Sequence, residues 1–459
     1  APLTGGTAST GGTLYALGDT VTLVAQNGTQ DATAIIQVTG LIGTSISSFT
    51  VIQSGLFTLE PSEFGQKSTS GSGSGLIITS PVYGGRIQMI TLTLPFQGPL
   101  SATYQDGFGL VSETESQTFW QSDLFDLSNW QALNFASAQS TSDNIMALSD
   151  LTRQIIIFKT YHTEFWVNVG IAGFTFQQEQ GPFLEVGTPA TFSPALAGQS
   201  ICFLGQTSEG SHGVYQLIGY KPEKISTQAL DSQISKYSVV SDATGYVYAQ
   251  NGHMFYVLTF PTAAVTWVCD LTTTRLAGVP QWHQRASYAA GVFGRHLGGS
   301  YATFPNSAFP ILSSVIGDYT NGNLYVYDLD QPLDNGAQRK WLRTWRALQK
   351  SSPNPQRFSS LTIDMETGIQ VVSTSGTTRT PGGILMQTGG PQVALRWSDD
   401  GGHTWSNSMF RNAGNLGQTS KRVMFKRLGS TRKLTGLDRI FELSSSDEFK
   451  VSIMGADVE

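Results

Sequence analysis

The chain has 459 residues, of which 39% are hydrophobic, 13% are charged and 50 are glycine, with a formal net charge of −6. This length supports a large core or two to three domains and excludes a miniature fold held by staples. The charged share is about half the usual one, which suits a surface packed against other protein, because desolvating charge at an interface is costly.

Strand signals run throughout: short stretches rich in Val, Ile, Thr, Tyr, Phe and Trp, broken by Gly, Asn-Gly and Pro. Residues 1–100 read as a small β domain with strands VTLVAQ, AIIQVTG, SFTVIQ and RIQMITLTL, and with a strand available to the domain that follows. Inside it, Lys67-Ser-Thr-Ser-Gly-Ser-Gly-Ser-Gly75 reads as a mobile loop. From 101 to 459 the pattern is that of a β-propeller with C-terminal closing strands such as Phe441-Glu-Leu443. Residues 144–187 give NIMALS, QIIIFKT, HTEFWVNV and FTFQQE, and residues 199–227 give QSICFLGQ, GVYQLIGY and EKIST. The clearest unit is GYVYAQ, Asn251-Gly252, HMFYVLTF, Pro261-Thr262-Ala263, AVTWVCDL and WHQRAS, with a turn whose residues tolerate the positive φ of a tight hairpin. Residues 313–329 follow with SSVIGDY, Asn321-Gly322 and NLYVYDL. Four-stranded units recurring at about 40 to 50 residues are the footprint of propeller blades. The expected fold is all-β: a β-propeller of five to seven four-stranded blades, six favoured, plus the small N-terminal β domain.

Motifs that carry chemistry are sparse. Cys202 and Cys269 stand singly in apolar runs and are expected as buried thiols. No apolar stretch reaches 18 residues, so no membrane insertion is expected, and the start of the chain lacks the basic and apolar segments of an export signal. Residues 1–150 hold two basic residues, Lys67 and Arg86, against eleven acidic ones, a balance of −9 that leaves +3 for the rest. A protein that grips nucleic acid shows basic stripes instead. The six histidines (His162, His212, His253, His283, His296, His403) have no metal-ligand spacing. Asp318-Tyr-Thr-Asn321-Gly-Asn323 lacks the alternating carboxylates and terminal Glu of a calcium loop and reads as a hairpin turn. No phosphate-binding glycine loop or nucleophile elbow is present, so no catalytic, cofactor-binding or metal residue is assigned.

The sharpest signature is Ser398-Asp-Asp400-Gly-Gly402-His-Thr404-Trp405, which fits S-x-D-x-G-x-T-W, the Asp-box pattern. It is expected as a structural corner of a blade. Asp400 would accept backbone N–H groups across the turn, Gly402 would take a positive φ, and Trp405 would plug the corner. Propeller sialidases carry such boxes, but their chemistry needs clustered arginines and an acid partner; Arg153, Arg275, Arg339 and Arg343 fall at no equivalent blade positions. Two basic clusters, Arg339 to Arg346 and Lys421 to Arg427, interleave cations with aromatics. In the second, alternation turns Val423 and Phe425 inward and the charges outward, as in a half-buried strand.

Ordered blocks from Tyr104 onward resemble the tail nozzle family of short-tailed bacteriophages, also called packaged-DNA stabilisation or head-to-tail accessory proteins. The blocks are Tyr104-Gln-Asp-Gly107, Trp130 to Gln139 with Asp143, Thr163-Glu-Phe-Trp166, Gln180 to Gly187, Gly219 to Thr227, Gly252 to Thr262, Gly317 to Tyr325, and Leu395 to Asn407 with Arg422 to Gly429. They span about three quarters of the chain. The family's usual N-terminal opening is not visible, so a trimmed or divergent start is expected. The resemblance implies a virion-tail ring, hexameric, below the portal-adaptor complex, with tail fibre or tailspike and needle or plug proteins as partners. It also implies that the ring retains packaged DNA and that genomic dsDNA leaves through it without sequence-specific binding; no cofactor is implied. Tight phosphate binding would oppose passage, so the acidic 1–150 segment is expected to face the lumen or the tip. The alternatives are a glycan- or receptor-binding propeller of a tail and a sialidase-like glycosidase.

Overall fold

A computed structural model describes residues 3–83, 94–289, 291–303, 314–329, 331, 333–346, 357–368, 390–415, 417–431, 439–447 and 449–459. The chain forms two compact units, Ala1–Leu92 and Thr93–Glu459.

The first unit is one antiparallel sheet of Leu3–Thr13 (β1), Thr20–Ala25 (β2), Thr29–Ile42 (β3), Ser45–Leu59 (β4), Glu63–Thr69 (β5) and Ser74–Tyr83 (β6), in the order β1-β6-β5-β2-β3-β4. Alternating residues such as Val21 and Leu23 on β2, and Ile36 and Val38 on β3, point into its core. The sheet curls until its edges meet: the Tyr15 N–H donates to the Thr44 carbonyl at 3.1 Å, and Ser45 Oγ donates to the Gly12 carbonyl at 2.5 Å. Among the described residues its six strands pair with one another and supply none to another sheet. All but the last residue of the expected strand at 86–94 lies outside the described residues. Of the stretch expected as a mobile Gly/Ser loop, residues 67–69 belong to β5 and 74–75 to β6, and only 70–73 form the turn between them. The reason is packing: a Cβ on Gly73 would sit 2.1 Å from the Tyr15 ring, and the Gly73 carbonyl accepts from Gln66 Nε2 at 2.9 Å.

The second unit opens with five successive antiparallel meanders. The first comprises Pro99–Gln105, Phe108–Glu113, Thr118–Asp123 and Asp126–Ser137 (β7 to β10). The second is Ile145–Leu151, Gln154–Lys159, Thr163–Asn168 and Phe176–Leu184 (β11 to β14). The third is Ala195–Leu196, Ser200–Gln206, His212–Ile218 and Lys221–Lys224 (β15 to β18), followed by the helix Gln228–Ile234 (α1), which Thr227 caps. The fourth is Thr244–Gln250, His253–Phe260, Val265–Asp270, Trp282–Ala289 and Val292–Arg295 (β19 to β23), with the helix Leu271–Ala277 (α2) capped by Asp270 before β22. The fifth is Gly298–Thr303, Ser314–Asp318 and Leu324–Tyr325 (β24 to β26). Thus five sheets are described, the lower bound of the expected range rather than the favoured six.

Neighbouring sheets stack face to face, and this explains the long apolar runs. On β12, Ile155 and Ile157 pack with Leu110 and Phe119 of the first sheet, while Ile156 and Phe158 pack with Ile201 and Phe203 of the third. On β16, the intervening Cys202 and Leu204 pack with Tyr256 and Leu258 of the fourth. A strand covered on both faces loses polar alternation. Both cysteines are buried free thiols in that third core. The Asn251-Gly252 turn joins β19 to β20 with φ of 49° and 80°, as a two-residue hairpin requires.

After β26 the strand order departs from a propeller. Trp341–Arg346 (β27), Arg357–Met365 (β28), Gln392–Ser398 (β29), Met409–Asn412 (β30), Val423–Ser430 (β31), Ile440–Ser445 (β32) and Ile453–Val458 (β33) form two sheets, β27-β32-β29-β30 and β31-β28-β33. Their apolar faces share one core that includes Leu361, Val393, Phe425 and Phe441. The expected propeller from 101 to 459 therefore gives way to a separate two-layer arrangement in its last part. Phe441-Glu-Leu443, expected as a closing strand, lies within β32 between β27 and β29. Strand periodicity is common to both architectures, so spacing alone does not separate them.

A buried cation fixes the connection between the first two sheets. Lys159 and Glu164 have fully buried side chains, 3.4 Å apart, and Lys159 Nζ also lies 3.4 Å from Asp143 Oδ1. The ammonium donates to the carbonyls of Ala138 (2.9 Å) and Thr141 (2.6 Å), so the 138–143 connection wraps around it. Lys159→Met strands Glu164 without its cation and is expected to cost about 3–5 kcal/mol in urea unfolding. Adding Glu164→Gln to that variant is expected to recover a large part of the loss; no recovery would mean that the charge pair is not the cause.

Candidate functional site

The Asp box lies in the turn between β29 and β30, in the two-layer region and not in a blade. Thr404 N–H donates to Asp400 Oδ1 at 2.8 Å, and the Thr404 hydroxyl bonds the other carboxylate oxygen. Ser398 Oγ donates to Asp400 Oδ1 at 2.7 Å and accepts from Gly402 N–H at 2.9 Å. These bonds, led by the Thr404 hydroxyl, hold the Asp400 carboxyl well below the usual carboxylate range. Gly402 has φ +99°, and its carbonyl accepts from the Trp405 indole at 3.0 Å. Trp405 is half-buried, with the Arg396 guanidinium 4.7 Å from its ring centre. Arg396 in turn pairs with Glu442 across the β29–β32 ladder.

The charge that ties this corner to the opposite sheet was not evident from the motif. Arg439 is 2% exposed and makes a two-pronged contact with Asp399, at 2.7 and 2.8 Å. Its guanidinium also donates to the β31 carbonyls of Leu428 and Ser430, and it lies against the rings of Phe358 and Trp397. The box thus works as a clamp between layers. Asp399 occupies the variable second position of the motif, so the pattern itself does not register it.

A cavity of about 630 Å³ is lined by residues of the fourth and fifth sheets and of the connection after β26, among them Gln250, Arg285, His296, Tyr325, Tyr327 and Asp334. Arg285 Nη2 donates to the Tyr248 hydroxyl at 2.7 Å, and the guanidinium lies 4.8 Å from the Tyr327 ring centre. The Tyr327 hydroxyl bonds the Tyr246 hydroxyl at 2.8 Å and His296 Nε2 at 2.9 Å. His296 is 7% exposed; burial, then the charges of Arg285 and Arg295, push its pKa down to about 3. Burial pushes the Asp334 carboxyl up against the pull of Arg339 and Arg285. Burial also raises the pKa values of Tyr246 and Tyr248, so hydroxyls and a neutral imidazole make up the wall around Arg285.

The remaining candidates fall on separate elements. Arg153 is on the turn between β11 and β12, Arg275 is on α2, Arg339 precedes β27 and Arg343 lies within it. Asp318 accepts from Thr320 N–H at 2.8 Å and from the Tyr325 hydroxyl at 2.7 Å, as a hairpin turn. No group of three metal-ligating side chains occurs among the described residues. In the second basic cluster Val423 and Phe425 are buried, while Lys421, Arg422, Lys426 and Arg427 are exposed. The acidic excess of residues 1–150 is concentrated at 101–150, which hold seven acidic and no basic residues. Of these, Asp143 serves Lys159 and Asp150 accepts from Thr103 at 3.1 Å.

Two measurements test these assignments. Arg439→Met is expected to cost about 3–5 kcal/mol in chemical unfolding, because it removes the buried guanidinium that Asp399 and two carbonyls share; Gly402→Ala, forced to a positive φ, should cost about 1 kcal/mol or more. The folded His296 pKa is below that of the unfolded chain, so its neutral form contributes stability that is complete above about pH 6.5. That contribution is lost as pH falls from there towards about 3. The unfolding midpoint should therefore fall with pH over this window, and His296→Gln should flatten the fall; an unchanged slope in the variant removes His296 as its source.

Residues 91–331 match the family model described as "Bacteriophage P22 Gp10, beta-propeller", and residues 341–459 match "Bacteriophage P22 Gp10, beta-sandwich". No curated protein matches the chain. Solved structures with some likeness include a GH43 glycoside hydrolase engineered for endo-xylanase and exo-arabinofuranosidase activity, at 12% identity and TM-score 0.27, covering 78% of this chain and 97% of that one. An exo-β-1,3-galactanase from Phanerochaete chrysosporium shows 8% identity and TM-score 0.26, with 98% and 95% covered. The N-terminal domain of Nup159 shows 9% identity and TM-score 0.24, with 76% of each chain covered. Likeness at that level carries no argument about activity. The two family matches meet the observed division into stacked meanders and a two-layer C-terminal region, and the chain belongs to the bacteriophage P22 Gp10 family, structural proteins of the tail of a short-tailed phage.

Proposed function

We propose that this chain builds the nozzle of the tail: a homo-oligomeric ring, a hexamer, seated below the portal-adaptor complex. The ring retains packaged DNA, provides the channel for its ejection, and carries tail fibre or tailspike and needle or plug proteins. The observation that carries the reading, beside family membership, is charge. The propeller span 91–331 has eight basic and eighteen acidic side chains, net −10, whereas the sandwich span 341–459 has fifteen and ten, net +5. A propeller with so few cations repels the DNA backbone more than it binds it, which suits passage of a duplex without sequence-specific contact. No helix among the described residues is long and apolar enough to cross a membrane.

The experiment is assembly of particles that lack this chain, followed by addition of the purified protein. Particles without it are expected to package DNA and then lose it, as measured by nuclease-accessible genome, and the added protein should restore retention. Full retention without the chain would overturn the DNA-holding role, and electron micrographs without a ring at the tail would overturn the placement.

A further inference from the structure

The outer strand of the first blade carries an apolar ridge that the described residues leave exposed. On β10 and the turn before it, Phe125 is 78% exposed and Leu133 is 85% exposed, and Leu124 and Leu127 are also exposed. Exposed large apolar side chains recurring along one short segment, at 124, 125, 127 and 133, are unusual for a surface that stays in water. Two register shifts, after Asp126 and after Trp130, bow β10 away from β9. Bulges of this kind blunt an edge against strand addition, which leaves side-chain contact as the mode of docking. Asp123 and Asp126 flank the ridge, within the stretch that has no basic residue at all.

The sandwich carries a surface of opposite sign. Lys421, Arg422, Lys426 and Arg427 are exposed on β31 and just before it. Beside them on β30 stands Phe410, 56% exposed, and Arg411 Nε joins the two strands by donating to the Met424 carbonyl at 3.1 Å. We propose that the acidic apolar ridge of one copy docks on this basic, Phe410-bearing surface of a second copy. The two patches differ, so the contact is head to tail, and a head-to-tail contact closes into a ring when its rotation divides a full turn. The proposal rests on the ring reading above and names the surfaces that would make it.

Sedimentation velocity of the full chain, at low and high salt, tests it. Wild-type association is expected to weaken at high salt, and to fall by at least about tenfold in Leu133→Asp and in Lys421→Glu/Arg422→Glu/Lys426→Glu. Asp123→Lys/Asp126→Lys should weaken it as well. A chain carrying both charge reversals should associate again, while thermal unfolding verifies that each variant is folded. Association indifferent to either reversal, or not restored by their combination, overturns the interface. If such variants still form rings on the tail, the ring reading stands and this interface fails; a wild-type chain that is monomeric both free and on portal-adaptor assemblies sinks both.

Discussion

The propeller depends on covering each central strand from both sides. Ile155 and Ile157 face one neighbour and Ile156 and Phe158 the other, and the same division recurs on β16 with Ile201 and Phe203 against Cys202 and Leu204. A blade of this kind exposes an apolar face if either neighbour is missing, so the blades stabilise one another in series. The small share of charged residues follows from this. With so much sheet surface internal, charge is confined largely to turns, outer strands and a few buried positions where partners surround it.

Those buried positions coincide with junctions. Lys159 holds the connection between the first and second blades, and Arg439 joins the Asp-box corner to the opposite layer of the sandwich. Apolar packing has no direction, whereas a cation with several fixed acceptors accepts one arrangement of the chain around it. The charge separation between propeller and sandwich belongs to a different scale: its field reaches beyond single contacts, over distances limited by salt screening.

The meanders were readable because they are local. NIMALS, QIIIFKT, HTEFWVNV and FTFQQE correspond to β11 through β14, and Asn251-Gly252 marks the hairpin between β19 and β20. The Gly/Ser stretch at 67–75 was misleading, because its composition describes a flexible chain while Tyr15, distant in sequence, packs over Gly73 and holds the turn. The Asp-box signature identified its own turn geometry but not its location, since the motif stabilises a β corner whichever sheet contains it. Arg439, Arg285 and Tyr327 had no signature. Each acts through contacts with residues far along the chain, and a lone Arg or Tyr in a strand looks the same whether it meets solvent or a buried acceptor.

By itself, then, the sequence determined the all-β class, the run of hairpins, the internal burial of Cys202 and Cys269 and the family resemblance, because periodicity, turn residues and ordered blocks all lie along the chain. Only the tertiary structure decided that the strands after β26 leave the propeller for two layers, that the N-terminal sheet curls on itself, and which cations hold the joints. Those outcomes depend on which strand faces which across long separations, and alternation records that a face is covered without recording what covers it.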